Sequence, residues 1–425
     1  MSYQTVIIIV IALYVMTQVA DFILEYLNLR FVKKHDKDIP PEFQDAVDPS
    51  RFRKSQYYTF AKSRYSIYHG AYNQIITLVF IFGGILNYYN NVLYKWHENH
   101  NVPFVLWGMV FVMLLSYAKT ILNIPFNLIN TFGIEKRFGF NTMSFKLWLG
   151  DLIKGLVVST VLISLLLAGA FWLVESLENY WWLPVWGFFF IFSLFVIYIT
   201  PYLLEPLFNK FTPLDDEALA ADIKAMLKKA GIKVKGVYQI DASRRTKHSN
   251  AYFTGLGRVK RIVIYDNLLQ QLERDELLAV LAHEAAHCRK KHVFKNLIIF
   301  ELLSGIGAFV AFLALQSDYL IELFGIDQNT FFAKMILLSF VATIVLWGMP
   351  WFFNLISRRF ERQADDFAMD IVGSGKPLAS ALIKLSVDNL SNIHPQKFYA
   401  MYHYAHPPEL KRVRALLADK KQSIV

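Results

Sequence analysis

The strongest constraint on this chain's fold is a succession of long apolar runs. A helix needs about 18–25 mostly apolar residues to cross the hydrocarbon core of a bilayer. Stretches of that kind fall near Thr5–Tyr26, Ile67–Tyr89, Pro103–Leu122, Leu152–Leu177, Trp181–Leu203, Val293–Gln316 and Thr330–Ile356. Each reads as a membrane-spanning helix, which makes seven. The 425 residues are 55% hydrophobic and include 36 Phe, more than a soluble domain of this size ordinarily carries. The first run lacks a basic leader and a small-residue cleavage site, so it reads as a span and not a secretory signal.

The loops between these runs alternate in charge. Residues Leu27–Ser66 hold nine Lys and Arg, whereas Asn90–Asn101 holds only Lys95. The third loop carries Lys136, Arg137 and Lys146, and the fourth, around Glu178, carries none. The long fifth loop is basic, Ser317–Asn329 has no Lys or Arg, and the tail is basic again. Basic loops stay on the cytosolic side. The N-terminus is therefore expected outside or in a lumen, with the fifth loop and the tail in the cytosol. The net charge of +10 is then accounted for by topology and lipid headgroups. No aromatic-basic pattern points to nucleic acid, and none is expected as a partner. Cys288 is the only cysteine. It rules out an intrachain disulfide and reads as a packing residue.

The fifth loop has the texture of a small folded unit. Pro206 to Leu214 reads as a structured exit from the membrane. Asp215–Ala230 has helical spacing, Val237–Ile240 reads as a strand, and Ala251–Gly255 with Arg261–Tyr265 reads as a hairpin around Gly255-Leu256-Gly257. A helix from about Glu273 to Lys291 follows, with Asp275 and Glu276 near its positive end.

That helix contains His283-Glu284-Ala285-Ala286-His287. Residues four apart share a helix face, so His283 and His287 can offer two imidazoles to one zinc ion. Glu284 between them can take a proton from an attacking water. A catalytic zinc needs a third protein ligand and an open position. Glu361, just past the seventh run on the expected cytosolic side, is the best candidate. Asp365, one turn further, can fix the tautomer of a ligand histidine. From spacing alone, an ordinary charged helix face with i,i+4 pairs fits Glu361 and Asp365 equally well.

Trp96-His97-Glu98-Asn99-His100 has i,i+3 spacing and reads as an interfacial loop on the outside. His292 is expected to point to another face than His287 and to be structural. His403 and His406, in Tyr402-His403-Tyr404-Ala405-His406-Pro407-Pro408, cannot be told apart by spacing. Among charges in or near spans, Lys154 and Lys295 read as snorkelling, while Glu301 and Lys334 suggest helix faces lining water.

Six blocks of the chain resemble the type I CAAX prenyl proteases, which are integral membrane zinc metalloproteases. They are Glu135 to Asn141, Pro206 to Leu214, His248 to Phe253, Leu278 to His292, Ser357 to Asp365 and His403 to Arg412, in family order. The resemblance implies that His283, His287 and Glu361 bind one zinc ion per chain. It makes Glu284 the general base and acid, with Asp365 hydrogen-bonded to a ligand histidine. It implies that Asn250 and the strand through Ala251, Tyr252 and Phe253 hold the substrate backbone, and that His406 and Arg412 contact substrate or oxyanion. It also implies seven helices around a water-filled chamber. The sequence departs from the family at Ala286, where Gly is usual, and at Cys288, where Trp is common.

The expected architecture is a mainly α, polytopic membrane protein with a small α+β zinc-protease domain on the cytosolic side. Residues 1–203 form five spans and their loops, 204–292 the protease domain, 293–356 two further spans, and 357–425 a cytosolic segment that completes the metal site. The expected function is a zinc metalloendopeptidase that releases the C-terminal tripeptide from prenylated CAAX proteins. Its home would be the endoplasmic reticulum membrane in a eukaryote or the inner membrane in a bacterium. One alternative is a quality-control protease indifferent to prenylation. Another is a transporter or channel with a structural zinc, which an open coordination position and an intact Glu284 disfavour.

Overall fold

The computed structural model describes residues 2–254 and 261–418. Helix α1 (Tyr3–Lys34) starts behind Ser2, whose hydroxyl accepts from the Thr5 amide. Helix α2 (Pro49–Phe82) starts behind Asp48, which accepts from the Ser50 and Arg51 amides, with Pro49 in the first turn. These are favoured helix starts, because cap side chains satisfy amides that have no partner inside the helix.

The second expected run, Ile67–Tyr89, is not one straight helix. It breaks into α2 and α3 (Ile85–His100), bent by 57°. The cause is Gly83-Gly84. Gly84 sits at φ +80°, and a Cβ on Gly83 would lie 2.4 Å from the Val79 carbonyl oxygen. The remaining runs fall within α4 (Phe104–Leu128), α5 (Phe145–Ser176) and α6 (Trp182–Ile199), then α9 (His292–Gln316), α10 (Phe331–Val345) and α11 (Met349–Val372). Among the described residues, six helices are long and apolar enough to cross a bilayer, or seven if the bent pair is one span. Ile75, Leu302 and Val345 are 62%, 62% and 75% exposed along these helices. Such an apolar exterior needs lipid as its solvent.

Opposite these lipid-facing sides the helices carry polar groups. A polar cavity of about 540 Å³ lies between α1, α2 and the segment around residues 389–409, and Glu25, Asn28, Lys62, Asn130 and Glu409 help line it. Glu25 accepts a hydrogen bond from Ser63. Lys334 does not line water as expected: it is buried and ion-paired to Asp318 at 2.7 Å. Glu301 is buried and accepts a hydrogen bond from Ser304 in the next turn of its own helix.

The folded unit between α6 and α9 is built on a sheet of order β1-β2-β4-β3. Its strands are β1 (Phe211–Pro213), β2 (Gly236–Ile240), β3 (Ala251–Thr254) and β4 (Arg261–Tyr265). Strand β1 lies within the proline-containing stretch expected to be only an exit from the membrane. Its register places Pro213 opposite Tyr238, and an edge strand tolerates the proline's missing N–H. Strands β2 and β4 are parallel, and β3 is antiparallel to β4. The expected turn at Gly255-Leu256-Gly257 lies outside the described residues. Ile262, Val263 and Ile264 of β4 are all buried, so the central strand is covered on both faces and reads as a continuous apolar run.

One face of this sheet packs on α7 (Glu217–Lys229) through Ile223 and Leu227, and on α8 (Arg274–Arg289) through Leu277 and Leu281. Burying each of these side chains contributes about 1.5–3 kcal/mol. Helix α8 opens with a reciprocal cap between Glu273 and Glu276. Its Ala279 and Ala282 pack in one core with Ala368 of α11. Small residues let the two helices approach closely, and this contact fixes the functional geometry below. Helices α12 (Lys376–Asp388) and α14 (Glu409–Leu417) join that core through Leu378, Ala379, Val413 and Leu416, while α13 (Lys397–His403) packs on α11.

Candidate active site

Helix α8 presents His283 and His287 one turn apart, and α11 presents Glu361 opposite them. Their donor atoms converge. His283 Nε2 lies 3.3 Å from His287 Nε2, and each lies 3.4 Å from an oxygen of Glu361. A tetrahedral ion with bonds of about 2.05 Å holds its ligands about 3.3 Å apart. Glu361 is 4% exposed. Its Oε2 receives no well-directed hydrogen bond, although His406 Nδ1 stands 2.8 Å away. A buried carboxylate oxygen left without a proper donor among converging nitrogens is what a metal ligand looks like before the metal binds. Among the described residues, His283, His287 and Glu361 form a group that could hold a metal ion.

The surroundings hold these groups in place. His283 Nδ1 is 2.8 Å from Asp365 Oδ1, so Nδ1 donates there and Nε2 is the nitrogen turned toward Glu361. Arg412 clasps the same Asp365 in a bidentate pair, with Nη2 at 2.6 Å and Nε at 2.9 Å. The resemblance suggested that Arg412 reaches substrate. Here it is nearly buried, committed to Asp365, and 3.7 Å from Glu361 Oε2. Sequence reasoning had no signal for that pair, because α14 and α11 meet only in the fold.

Glu284 projects from α8 beside the group. Burial pushes its carboxyl above the ordinary range, and the nearby His283 pulls the other way. Burial works against charge on His283 as well, but the carboxylates of Asp365 and Glu361 beside it raise it to about 9. Burial and the neighbouring His283 push His287 down to about 4. The two imidazoles therefore differ: His287 is neutral at pH 7, while His283 holds a proton where a cation would sit.

The structure also separates the two histidines that spacing left open. His406 faces Glu361 and is 66% exposed. His403 packs on Tyr399 and Tyr402, with ring centroids 4.4 and 4.9 Å away, and does not face the group. Strand β3, with Ala251, Tyr252 and Phe253, lies against α8 at the free edge of the sheet. Asn250 precedes it. Its carbonyl accepts from the Tyr265 amide and its side chain from the Ala251 amide. Tyr252 donates to Glu205.

The other His-Glu-x-His cluster is part of helix α3 and not a loop. His97 Nδ1 bonds the Val102 carbonyl, and its ring stacks on Trp107 at 4.2 Å. His292 departs from its expected direction. Helix α8 ends at Arg289, Lys291 takes φ +56°, and α9 restarts at His292. The turn swings His292 Nδ1 to 3.2 Å from His287 Nδ1. A straight helix would have carried it to another face, and no glycine marks the break.

Residues 28–210 match the family model described as CAAX prenyl protease N-terminal, five membrane helices. Residues 213–420 match peptidase family M48. The chain is 33% identical to a CAAX prenyl protease 1 homolog of Arabidopsis thaliana, across 91% of this chain and 92% of that one. It is 32% identical to CAAX prenyl protease 1 of Saccharomyces cerevisiae, across 95% of both. It is 30% identical to a CAAX prenyl protease 1 homolog of Homo sapiens, across 92% and 91%. The crystal structure of S. mikatae Ste24p superposes with a TM-score of 0.89 at 29% identity, covering 98% of this chain and all of that one.

Proposed function

The chain belongs to the type I CAAX prenyl protease family of multi-pass membrane metalloproteases, and on that premise we propose that His283, His287 and Glu361 hold a catalytic zinc ion with Glu284 as general base. The observation that carries this reading is the triangle of donor atoms at 3.3–3.4 Å. Two nitrogens and one carboxylate oxygen with an open fourth position are a donor set suited to hydrolytic zinc.

When bound, zinc supplies Lewis acidity that polarises a peptide carbonyl and acidifies water. Glu284 takes the proton from the attacking water and delivers it to the leaving amine. Its burial favours this exchange, because a raised carboxyl pKa makes it a better base and leaves it able to give the proton back. Asp365, braced by Arg412, keeps His283 in the tautomer that leaves Nε2 free. His406, exposed beside Glu361, is placed to donate to the developing oxyanion. The free edge of β3, following Asn250, takes the substrate as an added strand, which holds an extended peptide in register.

The substrate is a protein whose C-terminal tripeptide is removed next to a prenylated cysteine. A bilayer-embedded catalyst suits it, since the prenyl chain stays in apolar surroundings while the peptide reaches the metal. The alternation of basic loops supports a catalytic face in the cytosol. The test uses purified full-length protein on a farnesylated peptide and its unlipidated twin. The farnesylated peptide is expected to have a kcat/KM at least about tenfold higher, as burying even a few prenyl methylenes at about 0.8 kcal/mol each would supply. Equal values would shift the assignment to a membrane peptidase indifferent to lipid.

A pH dependence of metal uptake follows. Zinc must displace the proton that His283 carries below about 9, whereas His287, at about 4, is already neutral. Between pH 8.5 and 6.5 the apparent affinity is therefore expected to weaken about tenfold per unit. Competition titration against a chromophoric chelator measures it, and an affinity flat across that window contradicts the assignment of His283.

A further inference from the structure

His292 is 2% exposed, yet neither the proposed zinc triangle nor the proton transfers use it. Its ring lies flat on Phe360, centroids 4.2 Å apart and planes within 5°. Its two nitrogens face two partners: Nδ1 is 3.2 Å from His287 Nδ1, and Nε2 is 3.1 Å from Gln363 Oε1. Lys290 Nζ ties the same turn of α11 down by bonding the Gln363 carbonyl at 3.0 Å. A non-glycine residue, Lys291, accepts the left-handed conformation to bring the ring there, which costs about 1–2 kcal/mol.

We propose that His292 is a positioning residue for the metal, fixing the tautomer and orientation of His287 and relaying it to Gln363. This rests on the proposed zinc site. The hydrogen bonds can run in only one direction. If His287 binds through Nε2, its Nδ1 must carry the hydrogen and donate to His292 Nδ1. His292 Nδ1 is then the bare nitrogen, so Nε2–H donates to Gln363 Oε1. The reversed chain puts a hydrogen on His287 Nε2, where the metal must go. One stretch of α11 thus anchors both ligand imidazoles on either side of Glu361. Asp365 holds His283 directly, and Gln363 holds His287 through His292. The two anchors differ in charge. A carboxylate backs one ligand and a neutral amide the other, so His287 is oriented without gaining the basicity that a carboxylate gives.

The experiment loads full-length protein with zinc and follows its release into excess chromophoric chelator. His292→Phe keeps the stack on Phe360 but loses both hydrogen bonds. Its zinc is expected to leave on the order of 10–100-fold faster than from the parent. His292→Asn restores an acceptor close to the position of Nδ1 and is expected to recover most of the loss. The visible absorption of the cobalt-substituted protein is expected to shift in the Phe variant and return toward the parent in the Asn variant. If His292→Phe does not fold, Gln363→Leu cuts the far bond alone and is expected to speed release severalfold. Release from His292→Phe at the parent's rate, or equal loosening by Phe and Asn, overturns the proposal. Parent protein that retains no zinc would instead remove the site on which it rests.

Discussion

Glu284→Gln is expected to lower kcat for peptide hydrolysis by about 10²–10⁴-fold, the contribution of a positioned general base, while zinc content stays at the parental level. The substitution keeps the side chain's shape and removes only its ability to take a proton. Glu284 is not one of the three converging donors, so metal binding should not notice. Folding should not suffer either. The influences on its carboxyl are burial and neighbouring charges, with no hydrogen bond among them, and a neutral amide is cheaper to bury than a carboxylate. Steady-state kinetics beside metal analysis on one preparation separates the outcomes. Retained activity removes Glu284 from the mechanism, and lost activity with lost zinc makes it a structural residue.

Glu361→Ala is expected to reverse that pattern. Two imidazole nitrogens 3.3 Å apart remain, but the anionic oxygen that neutralises part of the ion's charge is gone. Affinity should fall by more than the about 10–100-fold typical of losing an outer partner such as Asp365, and activity should follow the metal. His283 also loses one of the two carboxylates that raise its pKa. The proton competing with zinc is then held less tightly, which softens the loss slightly at neutral pH. Equilibrium dialysis against buffered zinc gives the dissociation constants. Unchanged affinity would mean that Glu361 is not a ligand.

What the sequence made legible follows from how local each feature is. Spans are written in runs of about twenty residues, so they survive errors of several positions. The His283/His287 pair is written in the helix period itself. Glu361 lies far along the chain from His287, yet it was reachable because the expected topology put it on the same side of the membrane and because Asp365 follows one turn later. The rest depended on single backbone angles or on contacts between distant elements. Gly84 at φ +80° bends the second span, and glycine at least marks such a place. Lys291 at φ +56° carries no mark, so the helix period points His292 to the wrong face. The pairing of Arg412 with Asp365 is set by how α14 docks on α11, which no periodicity encodes. The choice between His403 and His406 likewise rested on which way the chain turns after α13.

The most direct measurement is the position of the metal in zinc-loaded protein, located by anomalous scattering at the zinc edge. The account predicts one strong peak per chain within about 2.0–2.2 Å of His283 Nε2, His287 Nε2 and a Glu361 oxygen, with Glu284 nearby but not bonded. A peak bonded elsewhere, or one that Glu361 does not touch, would contradict it.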